Sequence, residues 1–391
     1  MMLILFSCNQ TEKTENSIPF EKLTTEFTGV NFSNNITPNL ESSENLFDYD
    51  YFYNGSGVGI ADINNDGLKD IIFTANQDKN KLYLNKGNLR FEDITDSSNI
   101  NSENKRWSSG VTFADINNDG WLDIYISQGG PNKANNRKNL LLINNQDLTF
   151  TDLATEYGLD DEGISTQSAF FDFDKDGDLD CVVMNENEFF GYDPTTFFKR
   201  LYHNKTILMQ NSSHLYEQID GKFVNITEKA GLLSPTFGLG LCISDINNDG
   251  WQDIYIANDY YVKDAMYINN QDGTFSNKIK ESTKQISFYG MGVDIEDING
   301  DNLSDIFVLD MASSDHVRSK TLMASMNTSN FDLITNKLDQ HYQYMFNSLQ
   351  LNMGNNKYHN ISHQLNIAKT DWSWAGLIFD YNLDGNEDIF V

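Results

Sequence analysis

Short apolar runs recur along the chain in sets of four, separated by turns rich in Asn, Asp and Gly. In one set they are GVGIA at 57–61, DIIFTA at 70–75, KLYLN at 81–85 and RFEDIT at 90–95. The next set supplies GVTFA at 110–114, DIYIS at 123–127, LLLIN at 140–144 and TFTDL at 149–153. Further on, KFVNIT at 222–227 closes one set, and GLGLCIS at 238–244, DIYIA at 253–257 and AMYIN at 265–269 open another. Such brief runs, rich in β-branched and aromatic residues and bounded by turn formers, read as strands. Four short strands per unit predict an all-β fold, a β-propeller of four-stranded blades. One blade cannot bury both of its faces, so the blades must stack. A linear β-solenoid is the competing architecture, and the strand count and period argue against it.

Between the first and second runs of each unit lies a nine-residue pattern, Asp-x-Asn/Asp-x-Asp-x-x-x-Asp. Its six copies begin at Asp62, Asp115, Asp172, Asp245, Asp297 and Asp380, at intervals of 53, 57, 73, 52 and 83. Two insertions explain the long intervals, 184–204 in the third unit and 311–346 in the fifth. The second reads as partly helical and carries Met311, Met323, Met326 and Met345 with His316, Arg318, Lys320 and His341. A decorating element packed on the propeller accounts for it, with Met filling gaps; a functional loop is the sharper alternative.

The spacing has a chemical reason. Ca²⁺ takes about six to eight oxygens at about 2.3–2.6 Å. In a tight loop, positions 1, 3 and 5 can turn side chains to one centre, position 7 offers its carbonyl, and position 9 closes the shell directly or through water. The first loop would use Asp62, Asn64, Asp66, the carbonyl of Leu68, and Asp70. The second offers Asp115, Asn117, Asp119, Trp121 and Asp123, and the third Asp172, Asp174, Asp176, Asp178 and Asp180. The fourth offers Asp245, Asn247, Asp249, Trp251 and Asp253, and the fifth Asp297, Asn299, Asp301, Leu303 and Asp305. The sixth offers Asp380, Asn382, Asp384, Asn386 and Asp388. Gly67 at position 6 permits a sharp turn with positive φ. The fifth loop has Asn302 there and is expected to bind most weakly. Position 12, a bidentate Glu in an EF-hand, is Phe73, Ile126, Val183, Ile256, Val308 and Val391, so these are not EF-hands. The bland reading is Asx-rich turns. Six copies in one strand context favour several Ca²⁺ ions, up to six, over Mg²⁺, whose small octahedral shell suits fewer protein ligands.

Charge narrows the partners. Asp plus Glu number 57 against 27 Lys plus Arg, a net charge of −30. A chain this acidic is not built for nucleic acid or for anionic lipid surfaces. Three Cys, at 8, 181 and 242, cannot form a disulfide framework. Cys181 and Cys242 fall in strands and read as buried small hydrophobes, with a bridge across neighbouring blades as the minor option.

At the N-terminus, Leu5-Phe6-Ser7-Cys8 resembles a bacterial lipobox, making residues 1–8 a signal remnant and Cys8 the lipidated residue. Residues 9–26 read as a linker, polar and aperiodic from Asn9 to Ser17. The propeller then occupies 27–391. No other apolar run approaches the length of a bilayer span, so a lipid at Cys8 is the expected membrane attachment. The sixth box is followed at once by Ile389-Phe390-Val391, which reads as a fragment of a longer protein; the alternative is ring closure by an N-terminal strand around Phe27 to Phe32.

At these boxes the chain resembles the FG-GAP/VCBS repeat family of integrin-α-like propellers. The likeness is greatest to VCBS-repeat lipoproteins of Bacteroidetes that continue into an ASPIC/UnbV-type region. The stretches that carry it are YFYNGSGVG at 51–59, LYLNKGN at 82–88, YMFNSLQLN at 344–352 and TDWSWA at 370–375. The resemblance implies seven blades with more chain beyond Val391, Ca²⁺ loops in several blades, and residence at the outer membrane or surface of a Gram-negative cell.

Three functions are expected. The first is an exported binding module for a glycan or a protein ligand, with some of the 26 Phe, 18 Tyr and 5 Trp free to stack on sugars. The second is a Ca²⁺-dependent polysaccharide lyase or hydrolase. No H-E-x-x-H, G-x-S-x-G, C-x-x-C or Walker A pattern supports it, and His316, Arg318 and His341 are its best catalytic candidates. The third is a spacer in a larger surface lipoprotein.

Overall fold

The computed structural model of the chain describes residues 20–101, 107–131, 137–321 and 328–391. Cys8, the polar stretch 9–17, Met323 and Met326 lie outside them. Five four-stranded antiparallel sheets follow one another, each with its strands in sequence order. Blade 1 comprises Val58–Ala61, Asp70–Phe73, Lys81–Asn85 and Phe91–Asp93. Blade 2 comprises Ser108–Ala114, Asp123–Gln128, Leu140–Asn144 and Phe150–Asp152. Blade 3 has Ser165–Phe171, Asp180–Asn185, His214–Ile219 and Lys222–Asn225. Blade 4 has Gly238–Ser244, Asp253–Asn258, Ala265–Asn269 and Phe275–Asn277. Blade 5 has Val293–Glu296, Asp305–Val308, Ser348–Asn352 and Tyr358–Asn360. A sixth sheet pairs Leu377–Phe379 with Asp388–Phe390.

The second strands of blades 2, 3 and 4 are buried at every position, which explains why they read as unbroken apolar runs. The first strands line up side by side along the series, each touching the next. Glycine makes that approach possible. A Cβ on Gly110 would stand 2.5 Å from the carbonyl oxygen of Thr166 in blade 3, and one on Gly292 the same distance from that of Trp374.

The core is divided among the blade interfaces. Ile63, Ile72 and Leu82 of blade 1 pack with Ile124, Leu142 and Phe150 of blade 2. Analogous clusters join blades 2 and 3, 3 and 4, 4 and 5, and 5 and 6. At the first four of these interfaces an aromatic residue at the start of the fourth strand shares the cluster with position 2 of the preceding box: Phe150 with Ile63, Phe223 with Ile116, Phe275 with Phe173 and Tyr358 with Ile246.

Phe20 repeats this relationship. Its ring lies 6.5 Å from Tyr381, position 2 of the sixth box, and 6.1 Å from Phe390. Nine residues on, Gly29 abuts the carbonyl of Phe91, as Gly158 abuts Phe223 and Gly231 abuts Phe275. The segment Phe20–Gly29 thus sits where a fourth strand and its following turn sit in blades 2 and 3, linking blade 6 to blade 1. Residues 27–32 hold no strand: Thr25–Thr28 is a helical turn, and Phe32 stacks on Phe73 at 4.7 Å.

The insertions extend from the end of the blades opposite the boxes, because they come after second strands. Met184 and Asn185 belong to the second strand of blade 3, so that insertion begins after them; it forms helices Pro194–Tyr202 and Lys205–Gln210. Asp193 caps the first, accepting from the Thr196 amide, with Pro194 in its first turn. The 311–346 insertion is partly helical as expected, with turns at Arg318–Thr321 and Thr328–Asp332. It also adds two short pairings, Met311–Ala312 with Asp371–Trp372 and Gln343–Tyr344 with Ile286–Ser287. Phe52, Trp107, Phe197, Phe198, Leu201 and Phe237 belong to a largely aromatic hydrophobic cluster over that end.

Candidate metal centre

All six boxes are hairpin connections between first and second strands. In every one the residue before position 1 pairs with position 9: Ala61 with Asp70, Ala114 with Asp123, Phe171 with Asp180, Ser244 with Asp253, Glu296 with Asp305, and Phe379 with Asp388. One turn geometry recurs within them. The Asp66 amide is shared by Asp62 Oδ1 and Asn64 Oδ1, both at 3.2 Å, and the Gly67 amide donates to Asp62 Oδ2 at 2.8 Å. Asp115 and Asn117 hold the Asp119 amide likewise, as do Asp245 and Asn247 for Asp249, Asp297 and Asn299 for Asp301, and Asp380 and Asn382 for Asp384. Two oxygens that accept from one N–H necessarily face the same side, so positions 1 and 3 converge. Position 5 joins them through its own Asx turn: the amides of Leu68, Trp121, Asp178, Trp251, Leu303 and Asn386 at position 7 donate to it at 2.8 to 3.1 Å.

The third loop is the most acidic. One oxygen each of Asp172, Asp174 and Asp176 lies within 4.8 Å of the others. Asp172 Oδ1 and Asp178 Oδ1 are buried without a hydrogen-bond partner. Burial and the neighbouring carboxylates push Asp174 and Asp178 above the usual carboxylate range. Three converging anions with orphaned buried oxygens fit a hard dication, which would offset their repulsion and replace the missing partners.

Position 9 has a second duty. Asp253 is fully buried, and its two oxygens accept from the amides of Ile246 and Asn269 at 2.9 and 2.7 Å. Asp70, Asp123, Asp180 and Asp305 make the same two bonds, to position 2 and to the third strand. These carboxylates tie the loop to the sheet. Burial raises Asp123 and Asp305 to about 6 and Asp180 and Asp253 to about 7, reinforced by the carboxylates of their own loops.

The sequence pattern points to a left-handed residue at position 6, and Gly67 (φ 86), Gly177 (φ 99) and Asn302 (φ 64) show it. It does not point to position 4, which is also left-handed: Asn65, Asn118, Lys175, Asn248, Gly300 and Leu383, with φ from 56 to 74. The Asn and Gly at four of these six positions are the available signal. Position 4 also reaches the next blade. Asn65 Nδ2 donates to the Gly120 carbonyl at 3.0 Å, and Asn248 Nδ2 to the Asn302 carbonyl at 2.7 Å. Lys175 instead places its ammonium 4.2 Å above the Trp251 ring.

The three catalytic candidates do not meet. Buried His341 bonds Thr283 Oγ1 at 3.0 Å, and burial, with Lys280 and Lys263 nearby, pushes it down to about 4. Arg318 pairs with Asp371 at 2.9 Å, and His316 is exposed. Cys181 and Cys242 are free thiols. Burial raises both, Cys242 to about 12, so both stay protonated. No described helix is long and apolar enough to cross a membrane.

The family model described as "FG-GAP-like repeat" matches residues 48–126 and 245–308, which hold boxes one, two, four and five. Cartilage acidic protein 1 of Xenopus tropicalis is 27% identical over 206 residues, covering 52% of this chain and 28% of that protein. Its human counterpart is 31% identical over 134 residues, covering 33% and 20%. The matched part thus spans under a third of these relatives. A solved lectin from Agrocybe aegerita, described as recognising non-reducing terminal N-acetylglucosamine, is 16% identical with a TM-score of 0.46, over 85% of this chain and 73% of that one. With the repeat match on two pairs of boxes and five complete four-stranded sheets in series, the chain carries FG-GAP-like repeats and is a β-propeller of four-stranded blades.

Proposed function

We propose that this chain is a calcium-binding β-propeller that acts as an exported binding module, holding a glycan or a protein on the end of the blades opposite the acidic hairpins. The observation that carries this reading is a set of exposed aromatic rings gathered on that end. Tyr53 is 59% exposed, Tyr192 39%, Tyr202 58%, Tyr342 45% and Trp374 40%. They come from the segment before blade 1, from both insertions and from the segment before blade 6, four stretches that all join the blades at the end opposite the hairpins. Exposed rings with a polar edge suit the flat faces of sugars and the anchors of protein partners. Ca²⁺ in the hairpins would stiffen the far end and hold the blades in register. His316, Arg318 and His341 do not meet, and the paired His214 and Asp161 are buried in blade 3 and its neighbour, so the lyase or hydrolase reading has no exposed His–carboxylate pair among the described residues to draw on.

Glycan-array binding with and without Ca²⁺ tests the proposal. A Ca²⁺-dependent hit, lost in Tyr192→Ala and Tyr202→Ala, supports it. Release of unsaturated sugars would replace it with the lyase reading. Placement at an outer membrane or cell surface through a lipid on Cys8, in the manner of the VCBS-repeat lipoproteins, is part of the same proposal. Metabolic labelling with a fatty acid, compared with Cys8→Ser, checks it.

A further inference from the structure

On the propeller axis, at the ring-bearing end, lies a cavity of about 310 Å³. It is built from the starts of the first strands of blades 1 to 3, from residues just after the second strands of blades 2 and 3, and from Leu239 and Trp374. Its size falls in the range of small-molecule sites. The hairpin loops are at the other end of the blades, so a guest in this cavity touches none of them and needs no metal in them.

The charge of the wall is one-sided: among the described residues Glu186 is its one ionisable carboxyl, and no basic side chain faces it. Glu186 is 1% exposed and lines the cavity. Its Oε2 accepts from the Tyr49 hydroxyl at 2.9 Å, while Oε1 has only a long contact of 3.4 Å from Asn54 Nδ2. Asn54 Oδ1, in the same wall, is buried with no partner. Ser109 and Thr166 have spent their hydroxyl hydrogens on the carbonyls of Ser165 and Gly238, at 2.6 and 3.0 Å, and turn lone pairs to any guest. None of the lining residues is Lys, Arg or His. Arg137, whose charge acts on Glu186, bonds the Glu188 carboxylate at 2.6 Å and the Glu162 carbonyl at 3.3 Å. A wall with one carboxyl and no basic side chain, in a protein of net charge −30, disfavours phosphates, sulfates and carboxylates. It calls for a guest that brings several N–H donors and positive charge.

We propose that this axial cavity binds a small organic cation bearing an ammonium group, with Glu186 as its counter-charge. The ammonium hydrogens go to Glu186 Oε1, the carboxylate oxygen left with only a long contact. Trp107 and Tyr49 form apolar walls, and Trp374 at the rim can cover the guest with its ring. Burial holds the Glu186 carboxyl well above the usual carboxylate range, and an ammonium partner would favour its ionised form.

The test is isothermal titration of the Ca²⁺-saturated chain at physiological salt with putrescine, tetramethylammonium, glucose and succinate. Saturable binding of one putrescine per chain is expected, weakened at least about tenfold in Glu186→Gln, which keeps the shape and loses the charge. Gln167→Glu places a second carboxylate at the exposed rim of the cavity and is expected to tighten putrescine several-fold while leaving glucose unchanged. Thermal melts confirm that both variants fold. The proposal is overturned if putrescine uptake is non-saturable, if it is indifferent to both substitutions, or if glucose or succinate binds in its place.

Discussion

The side-chain amide of Asn248 donates to the backbone carbonyl of Asn302 at 2.7 Å, so the fourth hairpin is tied to the fifth across a blade boundary. Asn248 has φ 58 and Asn302 φ 64: the bond joins two left-handed residues, each set by its own Asx-rich turn. Asn65 and Gly120 join the first two hairpins in the same way. Loops connected like this should not bind metal independently, because ordering one fixes an atom of the next. Asn248→Ala is expected to lower stability by about 1 kcal/mol. It should also weaken Ca²⁺ at both the fourth and fifth loops, read as two altered sites in a calorimetric titration. An effect confined to the fourth loop would show that the bond is structural decoration.

The third hairpin, with its orphaned Asp172 Oδ1 and three converging carboxylates, should respond to charge removal in opposite directions with and without metal. Without Ca²⁺, Asp172→Asn relieves repulsion of the order of 1 kcal/mol per carboxylate pair and should raise the melting temperature. With Ca²⁺ it removes a ligand charge and should lower both affinity and melting temperature. The unaltered chain should melt distinctly lower in EDTA than in Ca²⁺. A melting temperature indifferent to EDTA would sink the calcium reading.

How far the sequence discloses this structure depends on whether a feature is local. Box and blade are local: Asp-Asn-Gly turns between β-rich runs specify hairpins, and all six close with position 9 opposite the residue before position 1. Position 9 reads as a metal ligand, because its carboxylate is at the right spacing; its two bonds to Ile246 and Asn269 need the third strand in place to be visible. The link from Asn248 to Asn302 spans 54 residues, and only stacking of the blades reveals it. Phe20 is hidden for the same reason. It follows the polar stretch Asn9 to Ser17, yet it repeats the contact that Phe150, Phe223 and Phe275 make, against Tyr381 at the far end of the described chain. The axial cavity is likewise assembled from stretches more than 300 residues apart, Tyr49 to Trp374, and no single window of sequence contains it.

Gly110 carries a steric prediction. Its missing Cβ leaves room for the carbonyl of Thr166, which a methyl group would approach to 2.5 Å. That neighbour is backbone in the first strand of blade 3 and cannot swing away. Gly110→Ala should therefore cost about 1–3 kcal/mol through forced separation of two blades. Gly273, with open space around its Cβ position but φ 80, offers a contrast, since Gly273→Ala should cost only the smaller backbone strain of a left-handed turn. Denaturant midpoints of the two variants rank these costs, and equal losses would show that blade spacing is not set at Gly110.

Asp259 predicts how stability depends on pH. It is buried at the ring-bearing end, where Oδ2 accepts from the Tyr51 hydroxyl at 2.8 Å and Oδ1 from the Tyr260 amide at 2.7 Å. Burial first, and the nearby carboxylates Asp310 and Asp50 second, raise it to about 7 from an ordinary value near 3.8. The folded chain thus holds a proton that the unfolded chain gives up, and this favours folding only while the proton stays on. The contribution is complete below about pH 4 and is lost as pH rises through about 7. Over that window the slope approaches a loss of about 1.4 kcal/mol per pH unit for this group. Asp264, also raised to about 7, and Asp310, raised to about 6, act in the same direction. Asp259→Asn imitates the protonated form at every pH, so it should flatten part of the decline between about pH 4 and 7. Urea unfolding of both proteins across that range measures the difference. Parallel curves would mean that Asp259 is ionised in the fold, with Tyr51 and the Tyr260 amide sufficient to hold its charge.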